Sequence, residues 1–167
     1  MALRKIVELG DDALRTLCKP QMNFGPRLWT LLDDMAETMY DAQGVGLAAP
    51  QVGVLRRIII VDVGEENGGS LLELINPELV STEGTQCGRE GCLSLPGRQA
   101  VVTRPMKVVV KALNRRGEPI TVTGEGLMAR ALCHEIDHLN GVLYIDLMDR
   151  ELTREEMENP IPEDEED

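Results

Sequence analysis

Aromatic residues are nearly missing from this 167-residue chain, which holds only Phe24, Trp29, Tyr40 and Tyr144. Its core must therefore be aliphatic, and stacking platforms for unpaired bases are excluded. Positive charge is also short, with 17 lysines and arginines against 29 acids and a net charge of −12. Such a surface repels phosphate backbones and anionic lipid headgroups, so neither nucleic acid nor membrane is an expected partner. The longest apolar run, Ile58 to Val63, is broken by Asp62 and falls far short of a bilayer's width. No basic, apolar leader opens the chain, and a domain of this size needs no disulfide staples. Cys18, Cys87, Cys92 and Cys133 are thus expected as thiols of a soluble, cytoplasmic protein.

The hydrophobic share of 43% is enough for one core, and the length suits one domain. Much of the acidity is local. Glu151 to Asp167 carries nine acids and one base, a charge of −8, which leaves −4 for the first 150 residues. Residues 1–149 are therefore expected to form the folded unit, and 150–167 an acidic tail with a frayed helix and a disordered end. Pro160 and Pro162 oppose a helix running to the terminus. The low charge of the folded part implies little electrostatic selection among substrates.

Leu28, Leu31, Leu32, Met35, Ala36 and Met39 recur at helical spacing behind Pro26 and predict a helix over 26–42. Arg57 to Val63 reads as a buried strand, and Leu71 to Val80 as a less regular one. Lys107 to Leu113 and Pro119 to Thr123 read as a hairpin about Arg115-Arg116-Gly117. Glu125 to Asn140 is helical in pattern and stops at Gly141. Helix, strands, then helix predicts an α+β class.

Both histidines lie in His134-Glu135-Ile136-Asp137-His138. Positions i and i+4 stack on one helix face, so two imidazoles there can meet one metal ion, with Glu135 in reach of a water held at the same place. Leu127, Ala131, His134 and His138 share one stripe, and burial of the first two would bury it. A catalytic site needs a third ligand. Tyr144 stands where one protease pattern would have its third histidine, which leaves a cysteine or a carboxylate. Cys133 points about 100° away from its neighbour His134 on a helix. Cys92, in the loop-like stretch Arg89 to Pro96, is better placed, although a small buried apolar residue is the commoner fate of a cysteine. Gly44-Val45-Gly46-Leu47-Ala48-Ala49-Pro50-Gln51 has neither a P-loop lysine nor a dinucleotide spacing. It describes a stiff path that another backbone can approach, with the Gln51 amide on offer. Competing readings are a metallopeptidase on the same helix or a structural metal module. Glu135 is superfluous in the latter, which would also want a fourth ligand.

Gly44 to Gln51, Glu90 to Ser94 and His134 to His138 together resemble the three signature motifs of the peptide deformylases. The resemblance spans roughly Ala2 to Asp149. It implies mixed or antiparallel sheets packed around a central metal-binding helix. It also implies that Cys92, His134 and His138 hold one divalent metal, with ferrous iron expected and zinc, nickel or cobalt as substitutes. Glu135 would act as acid and base, and Gln51 and the Leu93 amide would stabilise an oxyanion. The backbones of Val45, Gly46, Glu90 and Gly91 would line a peptide groove. Leu127 and Ala131 would wall a methionine pocket, unless they are simply core. Arg104 would brace Glu90 or lie on the surface, and Asp137 would be no ligand. The implied reaction removes the formyl group from N-formylmethionyl peptides of nascent chains in a bacterial cytoplasm, with transient ribosome contact.

Overall fold

A computed structural model describes residues 2–159. Two antiparallel sheets flank one buried helix. The larger has strands β1 (Gly46–Ala48), β2 (Ile58–Val61), β3 (Leu72–Glu83), β6 (Lys107–Leu113) and β7 (Pro119–Glu125), hydrogen-bonded in that order. The smaller joins β4 (Gln86–Cys92), β5 (Leu95–Arg104) and β8 (Arg150–Glu151). Helix α1 (Pro26–Asp41) covers one face of the large sheet and α2 (Leu127–Leu139) the other. Among the described residues no helix is long and apolar enough to cross a membrane.

Strand β2 explains its own composition. Ile58 and Ile60 pack with Leu28, Leu32 and Met35 of α1, while Ile59 and Val61 pack with Leu132 and Ile136 of α2. Because it is buried on both faces, its apolar run is continuous rather than alternating. Leu32 is fully buried on α1, and its truncation to alanine would cost about 2–5 kcal/mol.

Helix α2 buries ten of its thirteen residues, including Arg130, His134, Glu135 and His138. It ends abruptly. The Val142 N–H bonds to the Asp137 carbonyl at 3.0 Å and the Gly141 N–H to that of His138 at 3.2 Å, the paired closure that needs a left-handed residue at Gly141 (φ 73°). A Cβ there would also lie 2.8 Å from the Arg15 backbone. Gly141 therefore fixes where the helix stops and how closely the N-terminal segment passes it.

Three expectations change. The stretch around Cys92 is not a loop. Cys92 ends β4 and pairs with Leu95 across the turn Leu93-Ser94, while Gly91 pairs with Gln99, so the extra residues 96–98 bulge outward from β5. The irregular strand from Leu71 extends to Glu83, broken where Asn76 takes φ 53°. The segment expected as tail begins in the fold: β8 pairs with Ala100 and Val101, and α3 (Arg154–Glu158) starts at a Thr153 capping box. Asn159 is extended, as a residue before proline should be. The expectations for Pro160, Pro162 and the acidic end concern residues outside those described.

Candidate metal centre and active site

The tight turn at Leu93-Ser94 delivers the Cys92 thiol to α2, whose i, i+4 spacing has already aligned the two imidazoles. Cys92 Sγ lies 3.3 Å from His138 Nε2, which lies 3.2 Å from His134 Nε2, and the three ligand atoms fall within 4.8 Å of one another. A tetrahedral ion with bonds of about 2.0–2.1 Å to nitrogen spans N···N edges of about 3.3 Å. The donor set therefore fits a divalent metal, with two imidazole nitrogens, one thiolate and room for a fourth position.

The outer side of the site fixes the ring of His134. Its Nδ1 is 2.8 Å from Glu90 Oε2, so Nδ1–H donates to the carboxylate and the lone pair of Nε2 faces Cys92 and His138. Arg104 grips Glu90 through two bonds of 3.1 and 2.6 Å and Asp137 through a third of 2.6 Å. Arg130 adds 3.0 Å bonds to Glu90 and to the Val102 carbonyl. The two acids and two arginines sum to zero charge, which is what lets Glu90, Arg104 and Arg130 stay buried beside a part-exposed Asp137. Burial pushes the Glu90 carboxyl up, but the bonds from His134 and Arg104 outweigh it and hold it at about 2. Gly88 leaves the space: a Cβ there would sit 3.3 Å from an Arg130 nitrogen.

Burial lowers both imidazoles and prevails at His138, which is held well below its usual range. At His134 the charge of Glu135, with Cys92 and Glu90, overcomes burial and raises the ring well above it. Tyr144 stacks on His134 with centroids 6.1 Å apart and stands outside the group of Cys92, His134 and His138.

Glu135 is 4% exposed, its Oε1 has no protein partner, and burial pushes its carboxyl up to about 7. Gly46 packs directly against it: a Cβ there would lie 2.5 Å from Glu135 Oε2. Gln51 is buried. Its Oε1 accepts from the Ala48 N–H at 2.9 Å, which directs Nε2 to Ser94 Oγ at 3.1 Å and Cys92 Sγ at 3.4 Å.

A cleft of about 470 Å³ opens onto this centre. Glu135, Gln51, Leu93, Cys92 and His134 line it, as do Val45, Gly46, Glu90, Gly91, Leu127 and Ala131. His138 alone of the twelve expected site residues is not on its wall; it is 1% exposed and lies behind. Leu127 departs from expectation. It is 40% exposed, because the first turn of α2 stands at the cleft's mouth, and only Ala131 of the pair is buried. Arg104 is a buried brace, not a surface residue. Across the cleft β1 and β4 face each other, each at the edge of its sheet. Such edges can take an extended chain by backbone pairing.

Three contributions were not singled out from sequence: Arg130, Ser94, and the bond from the His134 ring to the Glu90 side chain, which was expected only as a partner of Arg104. Arg130 had a visible signal, a cation four residues before His134 in an otherwise apolar stretch. Ser94 and the bond between Glu90 and His134 had none.

The sequence matches the family model for polypeptide deformylase over residues 3–154. It is 58% identical over 158 residues to the peptide deformylase of Acetivibrio thermocellus, covering 95% of this chain and 91% of that protein. To that of Thermoanaerobacter pseudethanolicus it is 56% identical over 158 residues, covering 95% and 97%. Among solved structures, the peptide deformylase of Legionella pneumophila is similar with a TM-score of 0.83 at 49% identity, covering 88% of this chain and 86% of that one. The peptide deformylase of Ehrlichia chaffeensis in complex with actinonin has a TM-score of 0.86 at 36% identity, covering 89% and 90%.

Proposed function

Because the chain belongs to the polypeptide deformylase family, we propose that Cys92, His134 and His138 hold its divalent metal and that Glu135 moves the proton in catalysis. The enzyme is a metal-dependent hydrolase that removes the N-terminal formyl group from formyl-methionyl polypeptides and releases formate. What supports the residue assignment is one convergence: three ligand atoms within 4.8 Å of each other beside a buried carboxylate whose Oε1 has no partner.

When bound, a divalent ion lowers the pKa of a coordinated water toward about 7 and polarises the carbonyl under attack. Glu135 takes the proton of the attacking water and returns it to the departing amine nitrogen, a role that a carboxyl poised near neutrality suits. Gln51 Nε2 exchanges one of its acceptors, Ser94 or Cys92, for the oxygen on which charge develops. Leu93 offers its backbone N–H to the same oxygen. One such donor is worth about 3 kcal/mol. The peptide lies extended between β1 and β4, on the backbones of Val45, Gly46, Glu90 and Gly91, with the methionine side chain toward Leu127 and Ala131.

Ferrous iron is the proposed native ion on the strength of the family resemblance, with zinc, nickel and cobalt as substitutes; a set with one soft thiolate and two imidazoles suits iron or zinc alike. The catalytic unit proposed over residues 1–149 carries residues 150–159 docked on its smaller sheet, with the acidic end appended to them. The proposed setting is the bacterial cytoplasm, with transient contact to the ribosome that presents the nascent chain.

The test is formate release from a formyl-Met tripeptide after anaerobic purification. Glu135→Ala should be slower by about 10²–10⁴-fold. Equal rates would remove Glu135 from the proton transfer.

A further inference from the structure

Five charged residues line the cleft: Glu90, Glu135, Arg89, Arg98 and Arg130. Four are accounted for. Glu90 and Arg130 belong to the buried quartet, Glu135 faces the reacting centre, and Arg98 is paired with Glu151 at 2.6 Å. Arg89 differs. Its guanidinium donates to the backbone carbonyls of Glu156, Met157 and Asn159, and its buried Nε–H has no partner among the described residues. Among the described residues no carboxylate neutralises it.

Strand parity says which part of a substrate meets it. Along β4, Glu90 and Cys92 point toward α2, whereas Arg89 and Gly91 point to the opposite face. A peptide paired with β4 whose methionine side chain faces Leu127 and Ala131 of α2 must turn its second side chain to the Arg89 face. Gly91 contributes no side chain there, so Arg89 is the first one encountered leading away from the metal ligands. Its contacts with α3 hold the guanidinium in place.

We infer that Arg89 is a specificity-determining residue that favours an acidic side chain immediately after the formyl-methionine and disfavours a basic one. The inference rests on the substrate path proposed above. It also revises the expectation of weak electrostatic selection, because a local cation decides this subsite whatever the net charge of the domain.

The experiment compares formyl-Met-Asp-Ala, formyl-Met-Lys-Ala and formyl-Met-Ala-Ala amides on the full chain, by formate release and by calorimetric binding. An exposed ion pair gained in one peptide and a repulsion met in the other should give a preference for Asp over Lys of about fivefold. The difference should lie in KM rather than kcat, and should shrink between about 0.05 and about 0.5 M salt. Arg89→Gln should bring the Asp-to-Lys ratio close to one, and Arg89→Lys should retain it. Because the ratio is internal to each variant, loosening of α3 does not imitate it. Equal KM values for the Asp and Lys peptides in the wild type, or a ratio that survives in Arg89→Gln, would overturn the inference. If the alanine peptide is not turned over while the Asp and Lys peptides still bind with the stated ratio, the catalytic assignment fails and the role of Arg89 stands.

Discussion

His134 Nδ1 and Glu90 Oε2 are 2.8 Å apart inside the protein, and this bond connects α2 to β4, the strand that carries Cys92. It does more than orient one ring. The same carboxylate receives Arg104 and Arg130, so the ligand geometry depends on a buried, charge-balanced cluster.

Removing the charge of Glu90 while keeping its shape should weaken the metal rather than unfold the domain. Glu90→Gln is expected to lower metal affinity by about 10–100-fold. Competition with a chromogenic chelator reads this directly. Unchanged affinity would reduce Glu90 to a packing role.

Arg104→Leu should be costlier for stability, since it leaves the buried Glu90 carboxylate with less compensation. The expected loss is about 3–5 kcal/mol, measured by urea unfolding. A loss below about 1 kcal/mol would mean that Arg130 alone satisfies Glu90.

Gly46→Ala sets a methyl group 2.5 Å from Glu135 Oε2, and one of the two must move. A displaced catalytic carboxylate costs about 10²-fold in kcat. The change should appear in kcat far more than in the thermal midpoint. Wild-type kcat in this variant would show that Glu135 has freedom the packing does not suggest.

Asp34 of α1 supplies a pH dependence whose sign can be worked out. The Ala2 N–H at 2.8 Å leads in holding its carboxyl below the ordinary range; burial opposes this, and Arg4 adds to it. A depressed native pKa stabilises above the unfolded value of about 3.9 and is lost as pH falls through the native one. Wild type should therefore exceed Asp34→Asn in stability at neutral pH, and the two should converge below about pH 4. Denaturation midpoints across that range test it, and parallel curves would contradict it.

The proposed ligands Cys92, His134 and His138 and the proposed general base Glu135 could be named from sequence because each stands in a short local pattern. Helical spacing aligns His134, Glu135 and His138, and Cys92 sits in a short stretch of its own. The surroundings were not legible, because they come from contacts far apart in sequence. Arg130 reaches Glu90 across 40 residues, and Arg89 reaches Glu156 across 67. The loop-like reading of Arg89 to Pro96 failed for a related reason. Gly91 and Pro96 are turn formers, but the ladder with β5 recruits Arg89 to Cys92 as strand and leaves only Leu93-Ser94 as the turn. Docking of Arg150 to Asn159 was hidden by composition, since its acids suggested solvent while its backbone pairs with β5 and its carbonyls take Arg89. By contrast α1, β2, β3, β6, β7 and α2 followed from periodicity and glycine stops, whereas β1, β4 and β8 did not.

The most direct measurement pairs metal content with turnover in the same anaerobic preparations of wild type, Cys92→Ala and Glu135→Gln. Wild type should carry one divalent ion per chain and release formate from a formyl-Met peptide. Cys92→Ala should lose the ion, while Glu135→Gln should keep it and be slower by at least about 10²-fold. A Cys92→Ala protein that binds the ion as wild type does, or a Glu135→Gln protein at wild-type rate, would contradict the site described.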